Sequence, residues 1–239
     1  MLFFKFKLVK QYLLEFLMIF LAVMLGFFAE SYREKLTERS NEREFVLSYI
    51  EDLKADTAAI KTILDFRREK KERMDSLMLL LKTQQIKGHE NELYFFGRTL
   101  IRTLWFQSSD RAITQLKSSG SFRLLQSKQC ADSILSYQKL VARIIINQSD
   151  DQTERYNAHP VLSSIYDPFV FDEMVTIAGI NRPANNPPLR SYDRKLHQDL
   201  AYHIHQLKGS NYLIVGRLNW LRKKATNTMV VLRKEYQLE

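Results

Sequence analysis

The sequence predicts an all-α protein, in which a single N-terminal transmembrane helix continues towards a long amphipathic helix packed in a helical bundle. First, the 239 residues include only 7 glycines and 5 prolines, too few for a turn-rich β-sandwich. Second, apolar residues recur at spacings of three and four, which is typical of amphipathic helices. Third, all five prolines lie between residues 160 and 188, which predicts helices on either side of one Pro-containing irregular segment near 159–189.

The first predicted element is a membrane anchor over residues 12–29, which follows a short basic tail of residues 1–11. The run from Phe16 to Ala29 carries no charged side chain, and Glu15 is the one ionisable residue of the anchor. A helix needs roughly 17–25 apolar residues to span a bilayer, so this stretch is just long enough. Charged residues on both sides of the run favour a membrane span over a buried helix of a soluble protein.

We expect the anchor to stay attached and to leave the N-terminus in the cytoplasm. Cleavage after Ala29 would place the bulky Phe27 where signal peptidase needs a small residue. Basic residues before and after the span nearly balance under the positive-inside rule, and the tiny basic tail favours an N-terminus inside. Residues 30–239 would then form an extracytoplasmic helical domain.

One face of the anchor carries candidate contact residues. Ala22, Gly26 and Ala29 follow Glu15 at spacings that place all four on one side of a helix. Small residues let membrane helices approach closely, and Ala22 and Gly26 form a small-xxx-small pair. A glutamate here is costly unless it reaches the interface, is protonated or contacts another helix. The pattern favours a homo-oligomer or another membrane protein as partner, in addition to membrane lipid.

A long amphipathic helix is predicted beyond the anchor. Its apolar stripe consists of Val46, Ile50, Leu53, Thr57, Ile60 and Leu64, and then of Met74, Met78 and Leu81. Arg67 and Lys71 interrupt this stripe, and the charged run 67–73 is interpreted as an exposed face with internal ion pairs. We expect the stripe to face the protein's own core rather than a second chain. Steps of seven lead from it back to the anchor, so one unbroken helix and a hinge near 39–43 are equally allowed.

The long helix is expected to end near Gly88, where a glycine cap fits. Four further helices are predicted, over residues 92–106, 110–117, 127 to about 156, and 190 to the C-terminus. Ser127 is the candidate cap of the third, and Ser191 or Asp193 of the last.

Two stretches of the sequence carry motifs that are similar to those of a known family. One runs from Leu14-Glu15-Phe16 through the apolar segment to Gly26-Phe27-Phe28-Ala29-Glu30-Ser31-Tyr32-Arg33-Glu34. The other is Ile113-Thr114-Gln115-Leu116-Lys117-Ser118-Ser119-Gly120-Ser121-Phe122-Arg123-Leu124-Leu125, followed by Asp132-Ser133-Ile134. In these stretches the chain resembles a bacterial family, found mainly in Bacteroidetes, of short proteins that have one N-terminal anchor and no assigned activity.

The resemblance implies the same architecture, and it marks Glu15 and the turn Ser118-Ser119-Gly120 as positions of interest. Tyr32 stands where the family commonly has a tryptophan, and Ala22 where it often has a glycine. For the turn, a simple helix stop is the favoured physical explanation, because glycine supplies a positive φ and serines cap nearby groups. We accordingly expect the protein in a bacterial inner membrane, with its C-terminal domain in the periplasm.

No catalytic, cofactor-binding or metal-binding residues are predicted. The five histidines lack a carboxylate pair at ligand spacing, and a single cysteine, Cys130, excludes a cysteine-based zinc cluster. The sequence has no Gly-rich phosphate loop, no Gly-x-Ser-x-Gly motif and no His-Glu-x-x-His motif. We therefore expect no cofactor and no enzymatic activity.

The net charge of +9 raises the question of an anionic partner, because the last predicted helix is rich in basic and aromatic residues. Nucleic acid would require the opposite topology, so a solvated face, anionic lipid or an acidic partner is preferred. The sequence thus predicts a scaffold or accessory subunit that acts through helix–helix contacts. The alternative is an extracytoplasmic ligand sensor, which a buried pocket among Trp105, Phe106, Tyr137 and Tyr202 would favour.

Overall fold

The computed structural model describes residues 2–118, 125 and 127–238, with residues 2–12 described as helix only. The all-α prediction is confirmed, since long helices account for most of these residues and a two-residue-per-strand hairpin is the only sheet among them. The helices are α1 (Leu2–Thr83), α2 (Glu90–Leu100), α3 (Arg111–Ser118), α4 (Lys128–Ile165), α5 (Pro168–Glu173) and α6 (Arg194–Glu235). The strands β1 (Val175–Thr176) and β2 (Gly179–Ile180) pair antiparallel.

Helix α1 is unbroken over 82 residues, so the helix continues through residues 39–43, where a hinge was equally allowed. The predicted end near Gly88 is wrong by a few residues, because α1 ends at Thr83. Gln84 adopts a left-handed conformation with φ of 56°, and its side-chain amide donates to the Leu81 carbonyl. A glutamine therefore terminates the helix, and Gly88, with φ of 88°, shapes the turn that follows.

The chain divides into two compact units, Met1–Tyr49 with Arg111–Ser127, and Ile50–Asp110 with Lys128–Glu239. The first unit contains the apolar part of α1 and helix α3. The second contains the rest of α1 together with the other helices and the hairpin. This division does not test the predicted boundaries at residues 11 and 29, which remain predictions.

The three long helices of the second unit share one packing pattern, in which a stripe of buried residues alternates at spacings of three and four; in α1, Asp52 and Leu80 are buried beside this stripe. In α1 these are Leu53, Asp56, Ile60, Ile63, Arg67, Lys70, Met74, Leu77 and Leu81. In α4 they are Cys130, Ile134, Tyr137, Val141, Ile144, Gln148, Asp151, Arg155, Ala158, Leu162 and Ile165. In α6 they are His197, Leu200, Ile204, Leu207, Asn211, Ile214, Leu218, Leu221, Ala225, Thr228 and Leu232. Such heptads are the seams of coiled-coil-like bundles.

Of the nine predicted stripe positions of α1, six are buried, among them Val46 and Ile50, and the other three are one residue out of register. Leu53, Ile60, Met74 and Leu81 are buried as expected. Thr57, Leu64 and Met78 are only partly buried, and their neighbours Asp56, Ile63 and Leu77 occupy the core instead. The interpretation of 67–73 as an exposed run with internal ion pairs holds for Arg73 and Glu69, which pair at 3.3 Å, but it is wrong at Arg67 and Lys70, which are buried.

Side-chain contacts fix the directions of these helices. Asp56 and Arg67 of α1 meet Tyr137 and Asp151 of α4 in the same sequence order, so the two segments run parallel. Arg67 meets Asn211 of α6, and Asp75, further along α1, meets the earlier Lys208. Helix α6 therefore runs antiparallel to α1.

Two predicted boundaries need correction. Helix α2 ends at Leu100 instead of Phe106, and residues 102–110 have no regular secondary structure. Helix α4 continues through Pro160 to Ile165, so the irregular segment starts at Tyr166 and contains α5 and the hairpin. A proline inside a helix costs about 3 kcal/mol, but the apolar stripe of α4 continues beyond it through buried Leu162 and Ile165, and this burial offsets the cost.

The predicted cap of the last helix is confirmed. Asp193 precedes α6, and its carboxylate accepts a hydrogen bond of 2.9 Å from the backbone N–H of Lys195. Asp167 caps α5 in the same way, by accepting from the N–H of Phe169, and Pro168 occupies the first helical turn.

Candidate functional site

The four predicted contact residues of the anchor lie on α1, and all are exposed. Ala22, Gly26 and Ala29 follow Glu15 by 7, 11 and 14 residues, which keeps the four within about 60° of one another around a helix. A methyl group added at Gly26 would meet no described atom within 4 Å. This face is therefore open in the single chain, and its contact with a partner stays a prediction.

By length and composition, the described residues include one helix that can cross a membrane, and it is this part of α1. None of the residues in its most apolar stretch is buried by the rest of the chain. Large side chains such as Phe16, Phe27 and Phe28 are exposed to more than three fifths of their area.

The predicted turn is described only at its first residue. Ser118 is the last residue of α3, and its hydroxyl donates to the carbonyls of Thr114 and Gln115 at 2.9 and 3.1 Å. This bonding fits the expected helix stop. Ser119 and Gly120 lie outside the described residues, so the rest of the prediction is untested.

A cluster of buried charged side chains, which sequence reasoning missed, lies in the second unit. Arg67 and Lys70 from α1 meet Asp151 and Arg155 from α4, and all four are at most 4% exposed. The Asp151 Oδ2 atom accepts from Arg155 Nη2 at 2.6 Å and Nε at 3.0 Å, and it lies 3.6 Å from Arg67 Nη2. Arg67 also donates to Asn211 Oδ1 of α6 at 3.2 Å, and Asn211 Nδ2 donates back to the Arg67 carbonyl.

The charged cluster also binds backbone carbonyl groups at the end of α2. Lys70 Nζ donates to the carbonyls of Leu100, at 2.6 Å, and of Arg102. Arg155 Nη1 donates to the same two carbonyls at 3.1 and 3.3 Å. Buried carbonyls need such partners, and charged donors make the stronger bonds. The cluster therefore ties the end of α2 to α1 and α4.

Two further buried polar residues form hydrogen bonds with the irregular segment of residues 102–110, which follows α2. The Gln148 amide of α4 accepts from the Phe106 N–H at 2.7 Å and donates to its carbonyl at 3.0 Å. The Asp56 carboxylate of α1 accepts from Ser108 Oγ, from the Ser109 N–H and from the Tyr137 hydroxyl, each at 2.6 Å. The polar residues at these heptad positions thus provide hydrogen-bond partners for the backbone of a segment that has no regular secondary structure of its own.

Burial and unequal charge shift the pKa values in the cluster. Burial, and then the positive charge of Arg155, lower the pKa of Lys70 to about 6, although Asp151 opposes the change. Burial likewise lowers the pKa of Arg67, against the attraction of Asp151. One carboxylate thus faces three basic side chains, so the positive charges of the cluster are in excess.

A cleft of about 320 Å³ opens beside Lys70. It is lined by Phe66, Lys70, Arg73, Met74, Phe95, Phe96, Thr99, Leu100, Arg102, Gly179 and Ile180. The buried residues Lys70, Met74, Thr99 and Leu100 form its floor, and the exposed Arg102 and Gly179 lie at its rim. The size lies at the lower end of the range for small-molecule sites, and the mix of apolar walls with a few polar groups is typical of them.

Arginines surround the aromatic wall of this cleft. The guanidinium carbons of Arg73 and Arg182 lie 5.4 and 5.1 Å from the centre of the Phe95 ring. Each arginine also reaches one carboxylate on the outer surface, Glu69 at 3.3 Å and Glu92 at 3.5 Å. Arg102 has no ion pair in the part of the chain that the structure describes.

The pocket expected for a sensor does not form among the four predicted aromatic residues. Phe106 and Tyr137 are buried, whereas Trp105 and Tyr202 are 38% and 60% exposed. They therefore do not enclose one cavity, and the cleft at Lys70 uses other residues. Across residues 2–118, 125 and 127–238, no group of three or more His, Cys, Asp or Glu side chains has the geometry to hold a metal ion.

Comparison of the chain with protein-family models, with curated proteins and with solved structures gave no match.

Proposed function

We propose that this protein is a non-enzymatic, single-pass membrane protein that acts as a scaffold or accessory subunit through helix–helix contacts. The observation that carries this proposal is the exposed apolar part of α1, which nothing else in the described chain covers. Lipid is the natural solvent for such a surface. The partners are membrane lipid and, at the face of Glu15, Ala22, Gly26 and Ala29, a second copy or another membrane protein; nucleic acid is not among them.

The proposed location is a bacterial inner membrane, with a cytoplasmic N-terminus and a periplasmic C-terminal domain. The short basic tail supports this orientation, and the resemblance of residues 14–34 and 113–134 to the anchored bacterial family supports the location. Arg222, Lys223, Arg233 and Lys234 of α6 are exposed, which fits the solvated face that is preferred for this helix.

Cysteine crosslinking in native membranes tests the proposed contact face. Cysteine replaces Ala22, Gly26 or Ala29 in turn, and Met24→Cys is the matched control because position 24 lies about 180° from Glu15 around the helix. The parent chain controls for the native Cys130, which is buried. We expect disulfide-linked dimers, or a crosslinked partner, at the three positions and not at position 24. Monomer alone at all three positions, or equal crosslinking at position 24, would contradict the proposal.

A ligand sensor is the second candidate, and the cleft at Lys70 is the observation that favours it. A ligand there would touch α1, which the structure describes as one unbroken helix from Leu2 to Thr83. A change at the cleft would then act on the same helix that carries the anchor. The two candidates differ in whether a small molecule alters the crosslinking pattern of the anchor.

A further inference from the structure

The cleft beside Lys70 has the composition of a site for an amphipathic anion. Its walls are the rings of Phe66, Phe95 and Phe96 together with the side chain of Ile180. Three basic residues, Lys70, Arg73 and Arg102, line the same space. The lining includes no aspartate and no glutamate, so positive charge and apolar surface meet there without a carboxylate of the protein between them.

The surrounding charges leave the positive sign in excess. Glu69 and Glu92 each engage one arginine, Arg73 and Arg182, on the exposed surface. Asp151 is used by Arg155 and Arg67. Arg102 and Lys70 form no ion pair among the described residues, and a charge in partly desolvated surroundings attracts a counter-ion strongly.

Lys70 has one donor left for a ligand when it is protonated. An ammonium group carries three N–H bonds, and Lys70 gives two of them to the carbonyls of Leu100 and Arg102. An anion in the cleft would accept the third and would supply the negative charge that the cluster lacks.

We propose that this cleft binds a small monoanionic organic acid with an aromatic body, whose carboxylate lies between Lys70, Arg73 and Arg102. The ring would pack against Phe66 and Phe95, while the carboxylate would accept charge-assisted hydrogen bonds from the three basic groups. The sensor candidate needs a ligand, and this inference names its chemical class. Binding at the cleft does not depend on the sensor proposal; only a signal passed on from the cleft would.

Anion binding should be coupled to proton uptake by Lys70. Burial and the nearby Arg67, Arg73 and Arg155 lower the pKa of Lys70 to about 6, against the single attraction of Asp151. A bound carboxylate favours the charged lysine, so affinity should rise as the pH falls from 8 towards 6. The arginines of the site remain charged over this range.

Calorimetric titration of the full chain in phosphatidylcholine nanodiscs tests the proposal, with 1-naphthoate as the probe and empty nanodiscs as the blank. The uncharged 1-naphthamide has the same ring system and lacks the charge. The variants are Arg73→Gln and Arg102→Gln, which keep Lys70 and the buried cluster intact. Arg68→Gln is the matched control, because Arg68 is exposed on α1, pairs with Asp65 and does not line the cleft.

We expect 1-naphthoate to bind, 1-naphthamide to bind at least tenfold more weakly, and each cleft variant to weaken naphthoate binding severalfold, with Arg68→Gln unchanged. Absence of naphthoate binding, equal binding of the amide, or an equal effect of Arg68→Gln would overturn the proposal. Crosslinking of the anchor is measured without ligand, so failure of the cleft and failure of the proposed membrane contacts can be told apart.

Discussion

At the scale of single residues, the core of the second unit depends on one carboxylate. Asp151 is fully buried and holds Arg155 and Arg67, while its Oδ1 atom has no hydrogen-bond partner in the structure. A buried ion pair adds little net stability compared with a well-packed apolar core, but a buried charge left without its partner is costly. Polar groups at heptad positions also fix the register of the helices, as Arg67 and Asn211 do by their reciprocal bonds.

Asp151→Asn tests this dependence. The amide cannot neutralise the buried arginines, so we expect the free energy of unfolding to fall by about 3–5 kcal/mol. Asp150→Asn, at the exposed neighbouring position, is the matched control and should leave stability nearly unchanged. Denaturant unfolding followed by circular dichroism measures both. Equal midpoints for Asp151→Asn and the parent chain would show that the cluster does not need its carboxylate.

Lys70→Met tests the effect of a buried lysine on pH dependence. The pKa of Lys70 is lowered from 10.5 to about 6 on folding, so between these values the unfolded chain binds a proton that the folded chain does not. Stability should then rise with pH across this window, by up to about 1.4 kcal/mol per pH unit from this group. The methionine variant should show a flatter rise between pH 7 and 9 in urea midpoints. The same slope in both proteins would refute the shifted titration.

The buried charges were missed because charged residues on a helix are normally solvated. The sequence predicts an exposed run that includes Arg67 and Lys70, and it predicts no role for Asp151. The signal was nevertheless in the sequence, since these residues fall in the alternating three-and-four pattern that α4 and α6 keep over their whole length. The identity of the partners could not be read in this way, because it depends on how the three helices align.

At the scale of elements, the irregular segment of residues 102–110 explains why the predicted helix 92–106 is too long at its C-terminal end. Residues 92–106 are apolar enough to continue α2, but the helix ends at Leu100. Backbone groups from Leu100 onward form hydrogen bonds with side chains from distant parts of the chain, namely those of Lys70, Arg155, Gln148 and Asp56. Local propensity carries no information about such partners, and tertiary contacts decide the outcome.

Gly97→Ala tests the close packing of α2 against the loop after α4. A Cβ atom at Gly97 would lie 2.5 Å from Cζ and 2.8 Å from the hydroxyl of Tyr166, which is buried and stacks on Phe171. We expect a loss of about 1–3 kcal/mol in the free energy of unfolding from this overpacking.

Gly216→Ala is the control for the glycine substitution, because an added Cβ there meets no described atom within 4 Å in helix α6. It should stabilise the protein by about 0.5–1 kcal/mol, since alanine loses less backbone entropy in a helix. Thermal unfolding of both variants measures whether each substitution lowers or raises the stability. A stabilised Gly97→Ala variant would mean that Tyr166 moves away at little cost.

The remaining element boundaries are of two kinds, those set by local sequence signals and those set by tertiary contacts. The positions of α3 and of the Asp193 cap follow from local signals, and the structure agrees with both. The predicted start of the irregular segment near residue 159 depends on Pro160, because proline disfavours helix interiors. Burial of the stripe beyond it, which is a tertiary effect, keeps α4 helical to Ile165.

At the scale of the whole molecule, the all-α class and the exposed apolar helix were predictable from composition and periodicity alone. Both depend on average properties of many residues, so single errors of register do not affect them. The cleft was not predictable, because it joins residues of α1, α2, the adjoining segment and the hairpin. The anchor face at Glu15 remains a prediction about a second molecule.

Extraction of isolated membranes with alkaline carbonate tests the membrane assignment most directly. The full chain is expressed without a solubilising tag, the cells are lysed without detergent, and the protein is followed through sedimentation before and after carbonate treatment. We predict that it stays in the membrane pellet under both conditions and is released by detergent, as expected if the apolar part of α1, which is long enough to span a membrane, lies in the bilayer. Recovery of the intact chain in the soluble fraction after lysis or after carbonate would contradict the membrane assignment and, with it, the proposed function.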